Sequence, residues 1–427
     1  FIKADDPKGK PKLIAKREKN VIYYPYSHKD KFYFWTNRDA VNYKITVAPV
    51  EKYKLKYWKD FIPHREDVYI DFLTFEDYFA LYEKVGGYEK LRIMDYKKKK
   101  NFYVEFPEKV SSFYIHSNPD FSADKMRVSY NSLITPLTVY DIDLETGKKM
   151  TKKVQKVHGY EPSNYKTERL NAISKDGTEV PISIAYKKGM KRTGDNPVLL
   201  YGYGAYGDSS MPFFTSTNVS LYDRGIIYAI AHVRGGGEMG KKWYEDGKMD
   251  KKKNSFYDLI ACAEKLIEDN YTKPQKLAVN GVSAGGFLVG AAVNMRPDLF
   301  GYVILEFPFV DVLNTMMDPT LSGTVSEYEE WGNPTIKKEF HNILKYCPYQ
   351  NIQKQDYPPM LVLAGMSDPR VNYWEPLKYV AKLRDMKTDN NQVLLKVYPA
   401  GHFGKSGRYS YYDQVAFEYS RLIFHLK

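Results

Sequence analysis

The sequence predicts two structural parts: short β-strands over residues 1–158, and an α/β domain with a mostly parallel, doubly wound sheet over residues 159–427. Three observations predict this. Early runs alternate apolar and polar residues between turn residues. From residue 197 onward, apolar runs of strand length alternate with helix-period stretches. Residues 277–286, LAVNGVSAGG, join an apolar run to a helix-like run through a turn of small residues.

The first part is read from its period. VIYY (21–24), KFYFW (31–35), YKITV (43–47), FYVEF (102–106) and LTVYDI (137–142) are separated by turns such as NRD (37–39) and ETG (145–147). Tyr and Phe suit half-buried pleated surfaces. An apolar strand, a turn and a charged strand, KKMTKK (148–153), follow one another as strands of a blade do. A sandwich, a barrel and a propeller all fit this spacing.

The second part changes near residues 157–164. Glu168 to Ala185 predicts a hairpin turning at KDG (175–177). Strands are expected at 197–201, 226–232, 276–280, 303–307, 360–364 and 393–398. Residues 255–269 predict a helix with Phe256, Leu259, Ile260, Ala263, Leu266 and Ile267 on one face, opened by a Ser255/Asp258 capping box. A second helix is expected over 375–386, with Pro376 in its first turn.

The pattern Gly281-x-Ser283-x-Gly285 between strand and helix has the form of a nucleophile elbow. A serine hydroxyl needs a base, and the base needs an orienting acid. In α/β-hydrolases these follow the serine in the order acid, then histidine. Asp368 follows the apolar run 360–365, where an open α/β sheet places working groups. His402 sits between Gly401 and Gly404 after the run 393–398, on a loop expected to be accessible. His341, the other histidine after the serine, lies in the charged stretch KKEFH (337–341) and reads as a surface residue. Ser283, Asp368 and His402 are therefore the expected nucleophile, orienter and base. Attack on an amide carbonyl also needs oxyanion donors, and the N–H of Ala284 is the expected first one.

Several further stretches carry a family likeness: YGYGAYG (201–207), VRGGGE (233–238), KKKN (251–254), RPDLF (296–300), PFVD (308–311), EYEEWGNP (327–334), YWEP (373–376) and GHFGKSGR (401–408). Together they resemble the prolyl oligopeptidase family of serine peptidases, and within it the oligopeptidase B branch, which cleaves after Arg and Lys. The likeness runs from about residue 100 to the end and implies an α/β-hydrolase catalytic domain preceded by part of an all-β propeller. At about 40–45 residues per blade, the first part makes about three blades. Three blades do not close a ring, so a second polypeptide or preceding sequence is expected to complete it.

The resemblance also implies roles. The Tyr203 hydroxyl would be the second oxyanion donor. Glu327 and Glu329 would be the acids that hold a substrate Arg or Lys, as a buried cation requires. From the residues alone they would share a face if extended, or form the acidic first turn of a helix. Phe309 would flank the cation. Arg370 is either a binder of a substrate carbonyl or a surface charge. Met211 and Phe213 stand where some members carry a second acidic pair, so little extra preference for paired basic residues is expected.

Composition is that of an ordinary globular protein, 43% hydrophobic and 27% charged. The charge of +12 comes from scattered lysines, apart from 97–100 and 251–253, with no nucleic-acid motif. No apolar run is long enough to span a membrane. Two cysteines make no disulfide framework and fit a reducing compartment. The expectation is a cytoplasmic serine peptidase of trypsin-like specificity acting on short basic peptides through an acyl-enzyme, with no cofactor or metal. The chain begins with Phe1, so a targeting signal cannot be read. Three alternatives stay open: a peptidase cutting after proline, an esterase with the same triad, and a non-catalytic propeller scaffold or half of a processed complex.

Overall fold

The computed structural model describes residues 1–98 and 100–426, apart from the side chain of Arg408. Lys99, within the lysine run 97–100, lies outside the described residues. Twelve strands form three four-stranded antiparallel sheets in chain order. The first holds β1 (Tyr23–His28), β2 (Lys31–Thr36), β3 (Lys44–Pro49) and β4 (Lys59–Ile62). The second holds β5 (Val68–Thr74), β6 (Tyr78–Val85), β7 (Tyr88–Asp95) and β8 (Asn101–Val104). The third holds β9 (Ser111–Ile115), β10 (Lys125–Ser132), β11 (Thr138–Asp143) and β12 (Lys149–Val154). Alternation is plain in β10, where every second residue is buried. Neighbouring sheets pack face to face: Phe75, Ile93, Phe113 and Val128 share one apolar cluster, and Tyr33, Ile45, Phe72 and Phe79 another.

The remaining strands make one eight-stranded sheet: β13 (Tyr165–Ile173), β14 (Glu179–Lys187), β15 (Val198–Gly202), β16 (Ile227–Ala231), β17 (Leu277–Val282), β18 (Tyr302–Glu306), β19 (Met360–Gly365) and β20 (Val393–Tyr398). Its order is β13-β14-β16-β15-β17-β18-β19-β20. The first two pairings are antiparallel and the rest parallel. The predicted hairpin turn is present, with Gly177 at φ +85° and its N–H bonded to Ser174 O.

Nine helices are described: α1 (Ser216–Tyr222), α2 (Lys241–Glu245), α3 (Lys253–Glu268), α4 (Ala284–Met295), α5 (Val312–Met317), α6 (Thr324–Trp331), α7 (Lys337–Leu344), α8 (Trp374–Met386) and α9 (Arg408–Leu426). Strands buried on both faces alternate between two cores. Val303 and Leu305 join the cluster under α3, α4 and α8, while Tyr302 and Ile304 join the one under α1 and α9. The continuous apolar runs in the sequence are thus central strands covered on both sides.

Helix α3 corrects one expectation. Ser255 and Asp258 do not cap it; the helix starts earlier, with Lys252 as N-cap. Both side chains are drawn to Arg234 instead. Asp258 accepts hydrogen bonds from Arg234 N, Nε and Nη2 and from Ser174 Oγ, at 2.6–2.9 Å. Ser255 Oγ donates to Arg234 O at 2.6 Å. A guanidinium offering several donors in a fixed fork outcompetes a cap worth ~1 kcal/mol.

The two parts touch through polar contacts near the chain's glycine-rich loops. Lys84 of β6 donates to Ser209 Oγ and Gly237 O at 2.7 and 3.0 Å, and Lys241 N donates to Asn42 Oδ1 at 2.7 Å. Arg169 of β13 donates to Gly87 O at 2.8 Å.

The Arg234–Asp258 pair is buried on both sides, whereas Arg296–Asp298 is largely exposed. Asp258→Ala is expected to destabilise the α/β part by about 3 kcal/mol in urea unfolding, the lower end of the range for breaking a buried pair, since Asp176 also pairs with Arg234. Asp298→Ala should cost less than about 1 kcal/mol.

Candidate active site

The site is built where β17 turns into α4. Ser283 adopts φ +57°, ψ −119°, which L-residues rarely occupy and which costs of order 1–3 kcal/mol. The neighbouring chain holds it there. Ser283 N donates to Glu306 O at 2.9 Å, and Ser283 O accepts from Gly286 N and Phe309 N at 2.9 and 3.1 Å. A Cβ on Gly281 would lie 2.1 Å from Gly285 O, and one on Gly285 would lie 2.6 Å from Gly202 O. Neither position admits a side chain. Ala284 opens α4, and its N–H has no acceptor among the described residues.

Asp368 follows β19 and is buried. Its Oδ1 accepts from the N–H groups of Arg370 and Val371 at 2.8 and 3.0 Å. Its Oδ2 lies 2.7 Å from His402 Nδ1. A carboxylate only accepts, so His402 carries its proton on Nδ1 and leaves Nε2 as the basic nitrogen. The expected accessible loop is corrected: the His402 ring is buried against Phe307 and Asp368, while Phe403 beside it is 67% exposed. The acid turns the imidazole inward. Among the described residues no hydrogen bond joins Ser283 to His402; such contacts are often long before substrate binds.

A cavity of about 360 Å³ opens at Ser283, and Tyr203, Phe309, Glu327 and Arg370 line it as well. A larger cleft, about 610 Å³, runs between β13 and the loops before β9 and after β10, and holds none of these residues. Tyr203 follows β15 and packs against Gly285. Burial, with Asp208, Glu327 and Glu330 nearby, pushes its phenol up to about 12. The hydroxyl therefore stays protonated and able to donate. Phe309 is buried beside Trp331, with ring centroids 5.4 Å apart. Arg370 is exposed and stacks over Phe403 at 5.4 Å.

The two acids part company. Residues 324–331 are helix α6, so positions 327 and 329 lie about 200° apart around its axis and share no face. Glu327, in the first turn, reaches the cavity, and its Oε2 accepts from Tyr206 OH and Trp331 Nε1, each at 2.8 Å. Glu329 is exposed and does not line the cavity. The inward partner on the helix is Glu330, buried and 3.5 Å from Lys252 Nζ. Sequence reading missed Tyr206, Asp208, Lys252 and Glu330. A helical reading of EYEEW would have grouped 327, 330 and 331 at i, i+3, i+4.

A sequence profile described as the prolyl oligopeptidase family matches residues 212–426, and one for its N-terminal beta-propeller domain matches residues 1–155. The chain belongs to the prolyl oligopeptidase family. The three sheets are part of the family's propeller, and the eight-stranded sheet lies in its α/β-hydrolase catalytic domain. The structure resembles oligopeptidase B from Leishmania major with a TM-score of 0.90 at 37% identity, over 98% of this chain and 61% of that one. The sequence is 43% identical to dipeptidyl aminopeptidase BI of Pseudoxanthomonas mexicana, over 95% of this chain and 56% of the relative. It is 36% identical to protease 2 of Moraxella lacunata, over 99% and 61%. The chain thus spans less than two thirds of the length of these relatives. Among the described residues no helix is long and apolar enough to cross a membrane.

The Tyr203 environment is testable in this oligopeptidase-family chain by itself. A tyrosinate absorbance titration of wild type minus Tyr203→Phe should show one phenol ionising near pH 12. A difference signal centred near 10, the ordinary value, would remove the argument that the hydroxyl is held protonated by its surroundings.

Proposed function

We propose that the chain is the catalytic portion of a serine oligopeptidase that hydrolyses short peptides on the carboxyl side of Arg or Lys. The observation that carries this is the placement of Glu327 on the same cavity wall system as Ser283 and Tyr203. A pocket for proline or for a simple ester has no use for a carboxylate. We also divide the chain at 158/159, since no strand lies between β12 and β13.

The proposed mechanism uses this chain's own groups. His402 Nε2 takes the Ser283 hydroxyl proton as Oγ attacks the scissile carbonyl. Asp368 holds the Nδ1–H and stabilises the imidazolium that forms. The carbonyl π electrons move onto oxygen, where Ala284 N–H and the Tyr203 hydroxyl donate to the oxyanion. Collapse expels the amine, which takes the proton from His402, and leaves an ester on Ser283. Water then attacks with His402 again as base, releasing the acid and restoring the hydroxyl. Throughout, the substrate guanidinium or ammonium faces Glu327, whose Oε2 is already held by two donors, leaving Oε1 to the substrate. Phe309 walls the pocket and Arg370 reaches toward the substrate backbone. Glu329, on the exposed side of α6, has only a long-range electrostatic part in this scheme.

A second reading is favoured by the relative named dipeptidyl aminopeptidase BI: release of dipeptides from free N-termini by the same triad. Blocking the substrate amine separates the two, because an endo-acting enzyme tolerates the block.

Ser283→Ala should abolish turnover with the fold intact, since losing a triad member costs on the order of a million-fold in a well-studied serine protease. Labelling of any other residue by a serine-reactive phosphonate would refute Ser283. On matched peptides ending in Arg, Lys, Pro or Phe before a reporter, wild type should prefer Arg and Lys. Glu327→Gln should lower kcat/KM for Arg peptides at least about tenfold, equivalent to ~1.4 kcal/mol, and Glu329→Gln much less. A preference for Pro would overturn the proposal in favour of a post-proline enzyme. We also propose that a second polypeptide or sequence preceding Phe1 completes the propeller; native and denaturing mass spectrometry of the active enzyme should show a second chain or a mass above that of these 427 residues, and an active species made of these residues alone would contradict it.

A further inference from the structure

Lys252 is a buried lysine, only 1% exposed, that the mechanism does not use. Enclosing an ammonium is unfavourable unless its charge is met. It donates to Gly204 O at 2.7 Å, lies 3.5 Å from Glu330 Oε1, and sits 4.9 Å from the Trp331 ring centroid and 5.7 Å from that of Phe287. Burial pulls its pKa down to about 8, against the opposing pull of Glu330.

These contacts join two walls of the site. Gly204 directly follows Tyr203, on the loop that also carries Tyr206. Glu330 and Trp331 end α6, which carries Glu327. Trp331 Nε1 and Tyr206 OH both donate to Glu327 Oε2. Glu330 Oε2 accepts from Tyr244 OH of α2 at 2.8 Å, while among the described residues its Oε1 accepts no hydrogen bond and is met by the Lys252 charge. The groups facing Lys252 are therefore Glu330 from α6, the Gly204 carbonyl from the loop, and the rings of Phe287 from α4 and Trp331. Tyr244, with Lys248 beside it at 3.2 Å, faces Glu330 from the other side.

We propose that Lys252 is a positioning residue for the peptidase reaction proposed above, on which this inference rests: its ammonium fixes the Tyr203 loop against the end of α6, so that the oxyanion donor and the cation pocket keep one spacing. A peptide with Arg before the scissile bond is anchored at both ends of that spacing, its guanidinium at Glu327 and its carbonyl oxygen at Tyr203. A drift of about 1 Å between the anchors can cost on the order of a hundredfold in rate. The cost falls on the chemical step and appears in kcat.

The test is a double-mutant cycle in the complete enzyme that contains this chain, with an acetylated Ala-Arg reporter peptide as probe. Lys252→Met with Glu330→Gln removes both charges together, so no carboxylate is left unpaired. This pair variant should keep its circular dichroism and lower kcat at least about tenfold, with KM changed less than about threefold. Tyr203→Phe lowers kcat in wild type and should cost less than about threefold on the pair background, because the two act through one spacing. Wild-type kcat should also fall above a pH of about 8, as Lys252 loses its proton, and this limb should vanish in the pair variant. Additive costs, an unchanged kcat or a persisting limb would overturn the inference and leave the peptidase reading standing. No effect of Tyr203→Phe in wild type would overturn both the donor assignment and the inference. If the pair variant does not fold, Glu330→Gln alone decides: without the carboxylate the proton leaves more easily and the limb moves to lower pH. An unmoved limb overturns the proposal.

Discussion

The close approach of three backbone segments at Gly281, Gly285 and Gly202 is the constraint on which the candidate site depends. With no Cβ between them, β17 ends directly against the first turn of α4, and β15 runs alongside. Ser283 is then the apex of the turn, in a conformation that its neighbours must enforce. The enforcement comes from the sheet. Glu306 O at the end of β18 takes the Ser283 N–H, and Phe309 N takes the Ser283 carbonyl. The same register places Tyr203, at the end of β15, beside the elbow. The proposed nucleophile, both proposed oxyanion donors and one cavity wall follow from the parallel register of three adjacent strands. Asp368 and His402 arrive from the next two, β19 and β20.

Charge is arranged around this apex by degree of enclosure. Asp368 is fully satisfied by two backbone N–H groups and the imidazole, so it can orient His402 without need of solvent. Glu327 is half-enclosed, with one oxygen held and, among the described residues, no hydrogen bond to the other, as suits its proposed exchange of water for a substrate cation. Glu330 and Lys252 are closed off and meet each other. Three acids on or near one cavity thus have three different degrees of freedom, set by what packs on them.

The parts legible in the sequence are those whose signal is local. The apolar runs that become β15 to β20 and the hairpin at Gly177 appear where their period and turn chemistry place them. The early strands were less legible. In β5, β6 and β7 the partly exposed positions carry Tyr69, Tyr78, Tyr82, Lys84 and Tyr88 while Glu83 is buried, so the two-residue alternation is diluted by residues that suit either face. Ser255 and Asp258 show how a tertiary partner overrides a local motif. Their spacing is that of a cap, but Arg234, more than twenty residues earlier, claims both.

The acids of EYEEW show the limit most sharply. Pairing 327 with 329 is correct for a strand and wrong for a helix, and the EYEEW stretch itself does not decide between them; its flanking glycines do. Gly323, at φ +90° before the first turn, and Gly332, at φ +105° after the last, bound the segment as helix caps do. Once that is fixed, period 3.6 sends Glu327 to the cavity, Glu329 to solvent, and Glu330 inward with Trp331. Burial then selects chemistry. The inward glutamate needs a cation from its own chain and has one in Lys252. The glutamate at the cavity has no ammonium or guanidinium of its own chain within ion-pairing distance among the described residues. An acid in that position, beside a strained serine, is free to take its positive partner from a substrate.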